Sequence, residues 1–177
     1  AGGNAAAMAA TIGAEVVGFD LRRERLAGIR ALGNKVTGLY PYLDALAREI
    51  AAADLLIGAA LRTGERALHI VSRDMVRSMQ PGSVIVDISV DQGGCIATTR
   101  PTSYAEPTYV EEGMVHFAVT NMPGAVPRSA TQALSTALLP CVLQLSQPDW
   151  QSSAMLRRGI NTAAGALVHP ALKESLA

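Results

Sequence analysis

The 177-residue chain has few aromatic side chains and no excess of charge of either sign. Small aliphatic residues dominate instead, a composition common among α/β proteins whose helices lie close to a parallel sheet. Lysine and arginine number 15, and aspartate and glutamate also number 15, so the formal net charge is zero. A neutral chain lacks the basic surface that attracts nucleic acids or anionic membranes. We therefore expect neither of these as a partner.

The sequence also lacks an apolar run long enough to span a bilayer. Its first residues show neither the basic region nor the hydrophobic region of a secretion signal, so we expect no such signal. Its two cysteines, Cys95 and Cys141, lie far apart, which favours a reducing compartment and hence the cytoplasm. Cys95 follows two glycines, as a nucleophile can, but no histidine or asparagine lies at a telling spacing from it. Packing is therefore the favoured role of both thiols. His69 has no second ligand three or four residues further on, and no metal site is expected.

A buried strand followed by polar residues and glycines occupies residues 84–95, with the sequence VIVDISVDQGGC. The first half is rich in β-branched residues and follows the turn at 80–82, which predicts a strand of a parallel sheet. Ligands of such sheets bind beyond the carboxyl ends of the strands, where Asp91 is expected to lie. Gly93 and Gly94 would let the backbone approach a bound ring closely. Asp91 is therefore the most informative residue of the sequence.

The first 20 residues have the pattern of the second half of a dinucleotide-binding unit. A glycine, a helix of small residues and a strand ending at Asp20 follow one another. We interpret Gly2 as the last glycine of a GxGxxG fingerprint, which places Asp20 at the ribose-binding position; a strand-end turn is its alternative role. A carboxylate there accepts both ribose hydroxyls and repels a 2′-phosphate, which favours NAD over NADP. Arg22, Arg23 and Arg25 follow at once and offer the opposite possibility, neutralising a phosphate.

Alternating strands and helices continue through most of the remaining chain. Strands are predicted at 35–40, 54–60 and 114–119, helices at 42–53 and 73–79, a ligand-covering loop at 61–64 and a turn-rich excursion at 98–107. His116 is expected to be a packed core histidine. Asn121 lies at a strand's carboxyl end, where its amide can bridge ribose or nicotinamide to the backbone; a simple turn role is its alternative. A long helix should begin near Pro127, kinked at Pro140, with an apolar stripe at 134–145 for core or interdomain packing. Residues 159–165 are predicted as a loop, followed by a short closing helix.

These elements predict an α/β fold, a Rossmann-type doubly wound parallel sheet that lacks its first strand. In the strand order 3-2-1-4-5-6 that strand is central, so its loss leaves two inner edges unpaired. Unsatisfied backbone groups in a buried sheet cost about 1–3 kcal/mol each, and their sum exceeds the stability of an ordinary domain. We therefore expect this chain to fold poorly alone. It should be the carboxyl-terminal part of a longer polypeptide, or a companion segment should complete its sheet.

Three segments carry a resemblance to a known family: ADLLIGA at 53–59, VIVDISVDQGGC at 84–95 and HFAVTNMPGAVPRSAT at 116–131. Over nearly its whole length the chain resembles the bacterial L-alanine dehydrogenases, and the DQGG and NMPGAVP strings are highly specific. The related domain of proton-translocating transhydrogenase shares the fold but is less similar around the DQGG string. The resemblance departs from the family at Pro41, where many relatives have a serine near the ribose, and in the loop 61–69, which lacks a common proline.

The resemblance implies a role for each matching position. Asp91 would be the active-site aspartate, close to the nicotinamide and the substrate amine. The remaining implied residues would contact the cofactor: Asp20 would hold the adenosine ribose, Arg25 would stand near it, Ala60 and Leu61 would line the adenine side, and Asn121 and Met122 would border the nicotinamide. Gly2 is a further cofactor-binding candidate, from its place in the fingerprint.

The resemblance also implies an organisation and a reaction. Residues 1–121 would be the NAD-binding domain, incomplete at its start, and residues 122–177 an interdomain helix and part of the catalytic domain. The preceding domain would carry a catalytic histidine and the arginine and lysine that hold the substrate carboxylate. The implied enzyme is a hexamer that converts L-alanine reversibly to pyruvate and ammonia with NAD. Alternatives are a transhydrogenase NAD-binding domain and an inactive truncated module.

Overall fold

The computed structural model describes residues 1–61 and 68–176. Two compact units divide them, the first containing residues 1–61 and 68–120 and the second residues 121–176. Helices and strands alternate along the first unit, which confirms the predicted α/β fold. Its elements are α1 (Gly2–Thr11), β1 (Val16–Phe19), α2 (Arg23–Arg30), β2 (Val36–Leu39), α3 (Leu43–Ala51), β3 (Leu55–Gly58), α4 (Arg73–Arg77), β4 (Val84–Asp87), β5 (Thr108–Glu111) and β6 (Met114–Phe117).

The strands of the first unit form two separate sheets. Strands β1 and β2 pair in parallel, while the other sheet has the order β3-β4-β6-β5, with β5 the only antiparallel member. In a doubly wound fold the first strand lies between the strands that correspond here to β1 and β3. Helix α1 contacts both of these strands. The break between the sheets therefore falls where the sequence predicts that the first strand is lacking.

The hydrophobic core of the first unit lies around β4 and includes the end of the loop that follows it. Helix α3 contributes Leu46 and Ile50, four residues apart and thus on one face of the helix. Cys95 belongs to the core, which confirms its predicted packing role. The remaining buried members are Val71, Met75, Val76, Met79, Ile85, Ile96 and Met114.

Strand β5 was not predicted, because residues 108–111 follow a turn-rich excursion. The strand forms a hairpin with β6 through Glu112 and Gly113, whose φ angles are 52° and 82°. Two successive left-handed residues make the tight turn that matches the twist of antiparallel strands. The Glu-Gly pair was the available signal for this hairpin.

The second unit consists of α5 (Pro127–Leu145), α6 (Ala154–Arg158), β7 (Thr162–Ala163), β8 (Ala166–Leu167) and α7 (Pro170–Leu176). The long helix begins at Pro127 as predicted, and it continues through Pro140. No residue of α5 is buried, and Leu134 and Val142 are 60% and 57% exposed. Core packing of the apolar stripe is therefore wrong, because the described residues place no apolar surface over it; interdomain packing stays a prediction.

The predicted loop at 159–165 contains half of a short hairpin, because Ala164 and Gly165 adopt φ angles of 48° and 78° and turn β7 back onto β8. The division into an NAD-binding domain at 1–121 and a catalytic part at 122–177 stays a prediction. No helix within residues 1–61 and 68–176 is both long and apolar enough to cross a membrane.

Candidate functional site

A closed loop follows strand β4 and carries Asp91 at its exposed tip. Residues Val90–Gln92 form a short 3₁₀ turn, and the amides of Gln92 and Gly94 donate to the Ser89 carbonyl at 2.9 and 3.1 Å. Gly93 and Gly94 have φ angles of 96° and 78°, a region that glycine adopts without steric cost. Asp91 is exposed. The structure thus places Asp91 beyond the carboxyl end of β4, where the sequence predicts a ligand.

The carboxylate of Asp87, the last residue of β4, is enclosed by this loop and is only 1% exposed. Its Oδ1 accepts the Ser89 amide at 2.9 Å, and its Oδ2 accepts the Cys95 and Ile96 amides at 2.8 and 3.2 Å. The Thr99 hydroxyl also donates to Oδ2, at 2.7 Å. Asp87 was not among the residues predicted from the sequence. The signal was an aspartate inside the apolar run VIVDI, since a buried carboxylate must have hydrogen-bond donors around it.

Two glycines leave room for this arrangement. A Cβ atom on Gly58 would lie 2.6 Å from the Cys95 Sγ, and one on Gly94 would lie 2.9 Å from the Thr99 Cγ2 and 3.0 Å from the Asp87 Oδ2. Burial raises the pKa of the Cys95 thiol, and the adjacent Asp87 charge raises it further. The thiol therefore stays protonated near neutral pH, which a nucleophilic cysteine does not.

The loop after β4 is tied to the end of β3, where two predicted cofactor residues lie. The Ser89 hydroxyl donates to the Ala60 carbonyl at 2.7 Å, and Leu61 beside it is exposed. A Cβ atom on Gly2 would lie 3.0 Å from the Cβ of Ala59, so the amino end of α1 lies against the same strand end. The structure thus brings Gly2, Ala60 and the loop that carries Asp91 to one edge of the β3-β4 sheet. The predicted loop lies outside the described residues from residue 62 onward.

Asp20 follows the end of β1 and has a different environment. Its Oδ1 accepts the Arg22 amide at 2.8 Å, and the Arg22 Nε lies 3.4 Å from the same oxygen. The Asp20 side chain is 28% exposed and that of Arg22 59% exposed. Arg25, on α2, is also exposed. An ion pair this accessible to water contributes little to stability, so a ligand can compete for the carboxylate.

Asn121 and Met122 open the second unit. Asn121 adopts φ 50° and ψ 49°, a left-handed conformation that asparagine tolerates better than most residues. Its carbonyl accepts the Gly124 amide at 2.8 Å, which starts the short 3₁₀ turn Met122–Ala125. The cofactor roles predicted for both residues stay predictions.

His116, in strand β6, is a buried histidine of the first unit. His116 is 1% exposed; its Nδ1 lies 3.1 Å from the Met114 carbonyl and its Nε2 2.8 Å from the Thr98 hydroxyl. Because a carbonyl can only accept, Nδ1 carries the proton and Nε2 accepts from Thr98. The prediction of a core histidine is confirmed, and His69 is exposed. Residues 1–61 and 68–176 contain no group of three or more His, Cys, Asp or Glu side chains that could hold a metal ion.

Comparison with known proteins identifies relatives over the whole chain. A family model described as "Alanine dehydrogenase/PNT, C-terminal domain" matches residues 1–170. The alanine dehydrogenase of Halomonas elongata is 44% identical over 180 residues, which cover 98% of this chain and 48% of the relative. That of Geobacillus stearothermophilus is 43% identical over 178 residues, covering 97% of this chain and 48% of the relative. The chain spans about half the length of these curated relatives.

Two solved structures are also similar to this chain. An L-alanine dehydrogenase superimposes with a TM-score of 0.83 at 45% identity, over 99% of this chain and 50% of the other. A transhydrogenase from Sinorhizobium meliloti superimposes with a TM-score of 0.75 at 28% identity, over 96% of this chain and 47% of the other.

Proposed function

This chain belongs to the alanine dehydrogenase/PNT family, and we propose that it is the dinucleotide-binding part of an NAD-dependent alanine dehydrogenase. The complete enzyme would convert L-alanine and water to pyruvate and ammonia, reversibly. The observation that carries this proposal is the loop after β4. The loop places the Asp91 carboxylate at the edge of the sheet, and hydrogen bonds to the buried Asp87 carboxylate hold it there. The edge of the sheet at the carboxyl ends of the strands is where this class of fold binds its ligands.

The described residues fit a dinucleotide. A Cβ atom on Gly2 would crowd the Cβ of Ala59 at 3.0 Å, so the amino end of α1 lies close to the sheet edge, an arrangement suited to a diphosphate. Asp20 holds a partly exposed carboxylate at the end of β1, where it can accept both hydroxyls of a ribose. A 2′-phosphate would meet its negative charge, which favours NAD over NADP. Ala60 and Leu61 would cover the adenine side, Arg25 would lie near the ribose, and Asn121 and Met122 would border the nicotinamide.

Asp91 supplies the charge that the reaction needs at the substrate. When hydride leaves the α-carbon of alanine, the nitrogen takes on cationic iminium character, and a nearby carboxylate stabilises that charge. The same carboxylate can orient the water that replaces the amine, since an ionised aspartate accepts hydrogen bonds from water and ammonia. The bound nicotinamide supplies the acceptor for the hydride.

The rest of the machinery would come from the remainder of the polypeptide. The chain spans about half of its relatives, and the preceding half would supply the histidine that shuttles protons and the arginine and lysine that hold the substrate carboxylate. We propose a cytoplasmic homo-oligomer, with six subunits as the expected number.

A second candidate is the NAD-binding domain of a transhydrogenase, which passes hydride between two cofactors. The observation in its favour is the TM-score of 0.75 with the Sinorhizobium meliloti structure. The lower sequence identity, 28% against 45% for the alanine dehydrogenase structure, makes it the weaker candidate.

The experiment that tests the proposal measures the intact mass of the purified natural protein and then NADH formation from L-alanine on the same sample. We expect a mass near twice 18.5 kDa, alanine-dependent NADH formation, and NADH consumption with pyruvate and ammonium. D-Alanine and NADP serve as controls and should give little turnover. Hydride transfer from NADH to an NADP analogue, without any response to alanine, would favour the transhydrogenase. A mass of 18.5 kDa without turnover would contradict both activities and leave a truncated module.

A further inference from the structure

The buried carboxylate of Asp87 has no part in the chemistry proposed above, yet the loop that carries Asp91 is folded around it. We propose that Asp87 is a positioning residue, which fixes the Asp91 carboxylate in its working place by binding both ends of that loop. The inference rests on the proposed function of Asp91. Asp87 is 1% exposed, so it acts through the loop and does not touch substrate itself.

The donors to Asp87 come from both ends of the loop. Ser89 is the second residue after β4, whereas Cys95 and Ile96 end the loop at the core. One carboxylate therefore joins the point where the chain leaves the strand to the point where it re-enters the core. Hydrogen bonds to an ionised acceptor are stronger and shorter than neutral ones, so they restrict both ends more firmly than an amide or hydroxyl would.

The part of the loop between these ends has little freedom to move on its own. The Val90 side chain is 3% exposed and anchors the residue before Asp91. The amides of Gly93 and Gly94 donate to the carbonyls of Val90 and Ser89 at 2.9 and 3.1 Å, which closes the turn immediately after Asp91. A shift of either end would therefore move the Asp91 carboxylate with it.

The neighbouring threonines offer a matched pair of variants. Thr99 donates to the Asp87 Oδ2 at 2.7 Å, whereas Thr98 forms its 2.8 Å hydrogen bond with the His116 Nε2. Replacing either by valine removes one hydroxyl at nearly constant volume, but only Thr99→Val weakens the hold of Asp87 on the segment after the loop. Thr99→Ser keeps the hydroxyl and should therefore keep the hydrogen bond to Asp87. Asp87→Asn places an amide nitrogen against at least one N–H or hydroxyl donor.

These four variants are tested in the complete enzyme by steady-state kinetics with L-alanine and NAD and by thermal unfolding. We expect kcat to fall about 10- to 100-fold in Asp87→Asn, because a misplacement of about 1 Å has an effect of that size. In Thr99→Val we expect a smaller fall in kcat than in Asp87→Asn. The KM for NAD should stay within about threefold of wild type, since the proposed ribose contact is elsewhere. Thr99→Ser should recover kcat, and Thr98→Val should lower the unfolding temperature without lowering kcat.

The inference is overturned if Asp87→Asn and Thr99→Val keep the wild-type kcat. It is also overturned if Thr98→Val and Thr99→Val have the same unfolding temperature and the same loss of kcat. Amide hydrogen exchange at Cys95 and Ile96 gives a readout that needs no turnover. Exchange should accelerate in Asp87→Asn and Thr99→Val but not in Thr98→Val. A wild-type enzyme inactive with alanine would reject the proposed function, whereas unchanged exchange in Asp87→Asn and Thr99→Val would reject the positioning role alone. If Asp87→Asn does not fold, Thr99→Val decides.

Discussion

Strands β1 and β4 each lead to an aspartate, but the two carboxylates have opposite environments. Asp20, after β1, is 28% exposed and is held by one residue, Arg22. Asp87, at the end of β4, is 1% exposed and is held by the amides of three residues and the hydroxyl of a fourth. A carboxylate surrounded by internal donors supports structure, whereas one left partly in water can bind a ligand. Asp91 combines the two properties: its side chain is exposed, and the loop that carries it is held by hydrogen bonds to Asp87.

Substitution of Asp91 should have the largest effect. We expect Asp91→Asn to lower kcat with L-alanine by about 10²- to 10⁴-fold, the range for loss of a group that assists charge and proton movement. The KM for NAD should change little, because Asp20, the residue proposed to hold the ribose, lies after β1. Steady-state kinetics on the complete enzyme measure both quantities. An Asp91→Asn enzyme with wild-type kcat would show that the exposed carboxylate has no role in the reaction.

Alanine substitutions at Gly93 and Gly94 distinguish the cost of backbone strain from the cost of steric crowding in the loop. Both have positive φ, but a Cβ on Gly93 would meet nothing within 4 Å, whereas one on Gly94 would meet Thr99 and Asp87. We expect Gly93→Ala to cost about 1–2 kcal/mol of unfolding free energy from backbone conformation alone. Gly94→Ala should cost about 1–3 kcal/mol more, because the crowded neighbours must move.

Chemical denaturation of the complete enzyme measures this difference. Equal destabilisation by the two alanines would contradict close packing around Asp87. That result would mean that Asp87, at the end of β4, is packed as loosely as Asp20 after β1.

Substitution of Asp20 should affect cofactor binding and leave the chemistry intact. We expect Asp20→Ala to raise the KM for NAD about 10- to 100-fold, the loss for hydrogen bonds to a charged group. The preference for NAD over NADP should shrink, because the repulsion of a 2′-phosphate is removed. The ratio of kcat/KM for the two cofactors is the measurement, with Asp44→Ala, a charge change on the exposed start of α3, as the control. An unchanged ratio would mean that Asp20 is only a turn residue.

The contrast between Asp20 and Asp87 also shows what the sequence can predict. The strands β1, β2, β3, β4 and β6 were found from runs of apolar residues. Asp20 could be predicted as a ribose-binding candidate because it follows a strand in a known order of elements, and that role stays a prediction. The role of Asp87 was missed because it depends on donors up to 12 residues away, which meet only when the loop closes. Exposure of the apolar stripe on α5 was likewise unpredictable, since periodicity shows which residues share a face but not what covers that face.

Protonation of His116 gives a smaller effect in the sheet that contains β4. Burial lowers the pKa of His116 below its ordinary value of about 6.5. The unfolded chain therefore binds this proton more readily, so the stability that the neutral histidine contributes is present above pH 6.5 and is lost as the pH falls through its lowered pKa. We expect the loss between pH 7.5 and 5.5 to stay below about 1.4 kcal/mol.

Denaturation curves at the two pH values test this, together with an NMR titration of the imidazole. His116→Gln should remove the part of the pH dependence that the histidine contributes. Greater stability of the wild type at pH 5.5 than at pH 7.5 would contradict the expected sign.

Removal of the Arg22 side chain should have the smallest effect. The backbone amide of Arg22 holds the Asp20 Oδ1 at 2.8 Å, whereas its Nε lies 3.4 Å away and its side chain is largely exposed. Exposed ion pairs contribute about 0–1 kcal/mol, so Arg22→Ala should change the Kd for NAD by less than about fivefold. Isothermal titration with NAD measures the change. If Arg22→Ala weakened NAD binding as much as Asp20→Ala does, the guanidinium would be part of the ribose site. The carboxylate after β1 would then depend on its neighbouring side chains, as the Asp87 carboxylate at the end of β4 does.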